Sequence, residues 1–142
     1  MSVREPRHFV DTNILIYAHD WSAGIKHGQA QELLTELWET RTGCLSIQVL
    51  QEFYVNVTRK ISLPLLPEEA AQIIANLSRW EVHRPSVNSV LEAIRLQTRH
   101  QISFWDAMIL TSAQQLGCQV VWSEDLSAGQ KYGSARVQNP FV

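Results

Sequence analysis

Long apolar runs are missing from this 142-residue chain, and so is any large excess of charge of one sign. No stretch approaches the roughly 18 apolar residues that a membrane helix needs. The segment Met1 to Arg7 is polar, without the apolar core of a signal peptide. Cysteine is scarce too. Cys44 and Cys118 make neither a disulfide framework nor a multi-cysteine zinc site, and both flank apolar segments, as buried reduced thiols do. A cytoplasmic protein is expected. Twelve Lys and Arg against fourteen Asp and Glu leave a net charge of −2. A globally basic, metal-independent grip on nucleic acid is thereby disfavoured, although an enzyme that meets phosphate through bound cations is not. Phosphate-cradling and nucleophile motifs are absent: there is no Walker-type loop, GxGxxG, HExxH or GxSxG. The five histidines show no ligand spacing, and no internal repeat or linker divides the chain.

What is present is a set of short apolar runs alternating with longer amphipathic stretches. Strands are expected at 8–10, 44–46, 81–83 and 118–122, with a last edge strand at 135–138. Helices are expected from Ile14, then over 25–40, 47–60, from Pro67, over 87–99 and over 104–116. Ala30, Leu33, Leu34, Leu37 and Trp38 should form the buried stripe of the second helix. Ile47, Leu50, Tyr54, Val57 and Ile61 should form that of the third, with Gln48, Glu52, Asn56 and Arg59 opposite. Ile73, Ile74 and Leu77 should face inward from the fourth, and Val90, Leu91 and Ile94 from the fifth, with Ala93 a further candidate. Short strands between longer helices predict an α/β fold, a sandwich around a small, mostly parallel sheet, in a single domain over residues 1–142.

Carboxylates sit at informative places in this layout. Asp11 closes the first strand, where ligands bind in open α/β sheets. It is equally suited to cap the following helix, as are Thr12 and Asn13 nearby. Asp106 lies on a helix with Ile109, Leu110 and Ala113 at i+3, i+4 and i+7, so it borders a face that reads as buried. Ser103 and Asp106 also have the spacing of a capping box. Asp125 follows a buried strand as Asp11 does, or else starts a turn. Glu124 beside it should diverge from it. Glu52 faces solvent unless its polar face lines a groove. Gathering such groups without a cation is unfavourable, by about 4 kcal/mol for each like-charge pair at 4 Å near a surface. A divalent ion reverses that sign, and all-oxygen ligands favour Mg2+ or Mn2+ over zinc. Such an ion suits phosphoryl chemistry. Trp105 or Trp21 could stack on a base.

Four segments together resemble the PIN domain family, and within it the VapC-type toxin ribonucleases. They are Val10-Asp11-Thr12-Asn13, Gln51-Glu52-Phe53, Trp105-Asp106-Ala107-Met108-Ile109 and Ser123-Glu124-Asp125-Leu126, in the family's order and spread over nearly the whole chain. Leu45 to Lys60 and the ending Asn139-Pro140-Phe141 are similar to one bacterial branch. The resemblance implies a three-layer α/β/α sandwich and an endoribonuclease that hydrolyses RNA phosphodiesters through a metal-activated water, leaving a 5′-phosphate and a 3′-hydroxyl. Asp11, Glu52, Asp106 and Asp125 would hold Mg2+ or Mn2+ and act catalytically, with Thr12, Asn13 and Ser123 orienting them. It implies an antitoxin partner and a homodimer as well. A PIN-like module without catalysis, binding RNA or protein, is the competing expectation. A receiver-like phospho-acceptor is disfavoured, because Val120-Val121-Trp122 leads to Ser123 and the next lysine is Lys131.

Overall fold

The computed structural model describes residues 5–142. Strand β1 (His8–Val10) occupies the middle of a six-stranded sheet ordered β3-β2-β1-β4-β6-β5. Its neighbours β2 (Gly43–Ser46) and β4 (Val120–Trp122) both run parallel to it, and β3 (Glu81–His83) continues the parallel set beyond β2. Only β5 (Lys131–Tyr132) is antiparallel, against β6 (Ala135–Gln138). The segment 135–138 was expected at the edge. Instead β6 pairs with β4 on one side and β5 on the other, so the two-residue β5, too short to leave a pattern in the sequence, forms the edge.

Helices α1 (Thr12–Ala18), α2 (Ile25–Thr40), α3 (Ile47–Arg59) and α4 (Pro67–Leu77) pack among themselves; α5 (Val87–His100) packs on α6 (Phe104–Gln115). Every residue of β2 is buried, as are Phe9 and Val10 of β1, which is the mark of a sheet covered on both faces. Gly43 is required by the packing: a Cβ there would lie 2.5 Å from the Trp80 ring. The sheet, α1 to α4 and the inner side of α6 share one apolar core.

Two stripes differ from expectation. On α3 the buried residues are Val49, Leu50, Phe53 and Val57, whereas Ile47 and Tyr54 are exposed. At 100° per residue the true face is turned by about 65° from the expected one. Glu52 therefore sits half-buried on the flank of the buried face instead of diametrically opposite it. On α5 the buried positions are Ser89 and Ala93, while Val90, Leu91 and Ile94 are exposed. Small residues let α5 approach α6 closely, Ala93 meeting Ala107 and Met108, and the Ser89 hydroxyl donates to Gln115 Oε1 at 2.7 Å. Trp38 is likewise only partly covered, edge-on to Trp80, while Ala30, Leu33, Leu34 and Leu37 are buried as expected. On α4, Leu77 is buried with Ala70, and Ile73 and Ile74 are half-buried.

Candidate active site

From β1 the chain moves outward through β2 and β3, then returns to the other side of β1 to form β4. The carboxyl ends of β1 and β4 therefore flank a switch point, the usual place for a crevice in a parallel sheet. Val10 lies opposite Trp122, and the Asp11 N–H donates to the Trp122 carbonyl at 2.9 Å. Asp11 and Ser123 are thus the first residues beyond adjacent strands, although 112 positions apart in the chain.

Asp11 is buried and occupies the N-cap of α1. One carboxylate oxygen accepts the Thr12 N–H at 2.7 Å, and the other accepts the Ser123 hydroxyl at 2.8 Å. Burial pushes its pKa up from 3.8 to about 6, against the opposing pull of those two donors; the negative charges of Glu52 and Asp106 push it further up. The start of α1 thus lies near acids carried by α3 and α6. Capping and site formation, alternatives in the sequence, coincide at this residue.

Asp11, Glu52, Asp106 and Asp125 line one cleft of about 190 Å³. Each arrives from a different part of the fold. Ser46 caps α3 by accepting the Val49 N–H at 3.3 Å, and Glu52 follows in the second turn. Ser103 caps α6 by accepting the Asp106 N–H at 3.0 Å. No reciprocal bond from the Ser103 N–H to the Asp106 carboxylate is formed, so only half of the expected capping box exists. The turn after β4 is closed by Ser123 Oγ, which accepts the N–H groups of Asp125 and Leu126 at 3.1 and 3.2 Å. The Asp125 carboxylate is thereby left for the cleft, where the Asn13 amide donates to it at 3.1 Å.

The small polar residues tie these acids together. Thr12 Oγ1 reaches Glu52 Oε2 at 3.5 Å, and the Asn13 amide lies 3.4 Å from Asp11 Oδ2 and 3.5 Å from Ser123 Oγ. Asn13 also accepts the Glu124 N–H at 3.1 Å, so one side chain holds both ends of the Glu124–Asp125 step. Glu124 itself turns away: Tyr17 donates to it at 2.6 Å, and Lys26 forms an ion pair with it. The adjacent acids diverge as their spacing suggested.

Several lining residues were not singled out as site residues in the sequence. Gln48 Nε2 donates to Glu52 Oε1 at 2.7 Å and to the Trp105 carbonyl at 3.2 Å; Asn56 also borders the cleft. Their signal was present, because Gln48 and Asn56 lie four residues either side of Glu52 and so share its face. Tyr17 and Lys26, which hold Glu124 away from the cleft without lining it, had no such signal, since their role depends on the return of the chain after β4.

Among the described residues, no three His, Cys, Asp or Glu side chains are gathered closely enough to hold a metal as they stand. Donor chemistry nevertheless suits a hard cation: the four acidic groups offer only oxygens, and two of them raise the pKa of the buried Asp11 through repulsion that a cation would relieve. Among the described residues, no Lys, Arg or His lines the cleft to do so.

The family model of the PIN domain matches residues 8–131. Curated proteins give no match. Among solved structures, a toxin–antitoxin complex from Klebsiella pneumoniae is similar at a TM-score of 0.70 and 20% identity, covering 94% of this chain and 97% of the other. VapC20 of Mycobacterium tuberculosis, a toxin that cleaves the sarcin–ricin loop, is similar at 0.65 and 22%, covering 83% and 91%. The DNA-bound VapBC of Salmonella typhimurium is similar at 0.68 and 18%, covering 96% and 99%. At these identities the likeness is one of fold.

Proposed function

Since the chain belongs to the PIN domain family, we propose that it is a Mg2+- or Mn2+-dependent endoribonuclease, the toxin of a toxin–antitoxin pair. The observation that carries this reading is the convergence of Asp11, Glu52, Asp106 and Asp125 on one cleft at the sheet's switch point. These four would hold the cation. A hard divalent ion in such a site polarises a phosphate oxygen and lowers the pKa of a water.

The chain's own residues set the stage for that chemistry. Ser123 and the Thr12 N–H fix the orientation of Asp11, and Asn13 does the same for Asp125. Gln48 holds Glu52 against the cleft wall. Hydrolysis would add water to phosphorus and break the bond to the 3′ oxygen, which takes up a proton. The products are a 3′-hydroxyl and a 5′-phosphate. An antitoxin partner and a homodimer belong to the same reading, and the similarity in fold to toxin–antitoxin complexes supports the former.

Thermal unfolding with and without Mn2+ tests the site, alongside cleavage of a mixed RNA substrate. Wild type should melt at higher temperature with millimolar Mn2+, because a ligand that binds only the folded state stabilises it. Asp106→Asn should lose most of that increment and cleave RNA more slowly by about a hundredfold, the upper end of what loss of a group supporting a metal's ligands costs. Cleavage that persists in a chelator would overturn the metal dependence. Absence of both stabilisation and cleavage would leave a PIN-like binding module without catalysis.

A further inference from the structure

The cleft that would hold RNA is lined by no Lys, Arg or His among the described residues, so the grip on the scissile phosphate there falls to the bound cation. A contact to the rest of the nucleotide would add to that grip. The structure shows one large apolar surface at that place. Trp105 lines the cleft and stays 64% exposed, while the helix behind it, from Ala107 to Ala113, is buried throughout. Its ring is not loose: Phe104 packs edge-to-face against it, with centroids 5.2 Å apart and planes at 76°. Its carbonyl accepts from the same Gln48 amide that holds Glu52, which links the ring's backbone to the acidic site.

We propose that Trp105 is a stacking platform for one unpaired base beside the scissile phosphate. This rests on the ribonuclease reading above. A base in a duplex keeps both faces stacked on its neighbours and cannot lie on the indole. An unpaired base can, and base–aromatic stacking is sequence-tolerant. Phe104 supports the indole from one side, and its exposed surface is left to receive the base. The acids then act at the phosphate while the indole fixes the strand's position, which separates binding from chemistry.

The test measures binding by fluorescence anisotropy of a labelled 12-mer oligouridylate, and of its duplex with oligoadenylate, in Mg2+. An Asp11→Asn background prevents cleavage. Adding Trp105→Ala should weaken single-strand binding about tenfold or more, within the roughly 5- to 150-fold range that loss of one stacked base implies. Adding Trp105→Phe should restore most of it. The duplex should bind weakly and indifferently to residue 105. Equal single-strand binding by the alanine variant would overturn the platform, as would a duplex bound as tightly with the same dependence. So would a change from dimer to monomer with RNA binding intact, which would make Trp105 a contact between copies. Wild-type protein that cleaves RNA while Trp105→Ala remains unimpaired removes only the platform. Wild-type protein that cleaves no RNA with Mg2+ or Mn2+ removes the ribonuclease reading and this inference with it.

Discussion

The carboxylate of Asp11 accepts a backbone N–H and a hydroxyl, yet its pKa still rises to about 6, so burial outweighs both donors. The folded-state pKa lies above the unfolded value, so the folded state binds the proton more tightly. Stability from this source is complete below pH 3.8 and is lost as the pH rises through 6. The difference of roughly two pKa units is worth about 3 kcal/mol at most. Asp11→Asn in chelator should therefore be about 1–2 kcal/mol more stable than wild type at pH 7.5, allowing for the weaker hydrogen bonds of the amide. At pH 4 the two should differ little. Urea unfolding at both pH values measures this, and an equal difference at both would show that Asp11 does not titrate in this window. At this scale the sequence was legible where a residue's role is local. Asp11, Ser46 and Ser103 all sit at helix starts, and each caps its helix. Local pattern could not decide where one residue has two roles: Asp11 is both cap and cleft wall, which the sequence offered as alternatives.

Among the elements, existence and limits follow from periodicity and caps, but the buried side of a helix depends on what faces it. The α3 pattern permits two stripes about 65° apart, and both place apolar residues three and four positions apart. The choice between them is made by α1 and α4, which the pattern does not contain. On α5 hydrophobicity ranks the positions wrongly, since close contact with α6 buries Ser89 and Ala93, of which only Ala93 was a candidate, and leaves Val90, Leu91 and Ile94 exposed. Ala93→Leu tests that account. It adds three carbons at a fully buried position opposite Ala107 and should cost about 1–3 kcal/mol by overpacking. Leu91→Ala, at a position 45% exposed, should cost well under half of that. Chemical denaturation of both variants gives the comparison, and the reverse order would mean that the exposed face of α5 carries the packing.

For the molecule as a whole, the decisive event is the pairing of β1 with β4 across more than a hundred residues. Strand identity was readable from Phe9-Val10 and Val120-Val121, but parallel neighbours leave no local turn to announce them. The resemblance to a known family placed Asp11, Glu52, Asp106 and Asp125 together before any geometry did, and no helical wheel could have done so. Ser123 joins the two ends of the chain. It is fully buried, donates to Asp11 and accepts from the N–H groups of Asp125 and Leu126. Ser123→Ala leaves the Leu126 N–H without that acceptor and removes a donor from a buried carboxylate. A cost of about 1–3 kcal/mol at pH 7.5 is expected. The donor also holds the Asp11 pKa down, so its loss moves the titration upward and deepens the penalty at neutral pH relative to pH 4. In the Asp11→Asn background that pH-dependent part should vanish, leaving the cost of the turn alone. A double-mutant cycle at pH 4 and 7.5 separates the two contributions. A coupling near zero at both would mean that the hydroxyl serves only its own turn, and that the strand pairing, without a side-chain link, holds the two ends of the site together.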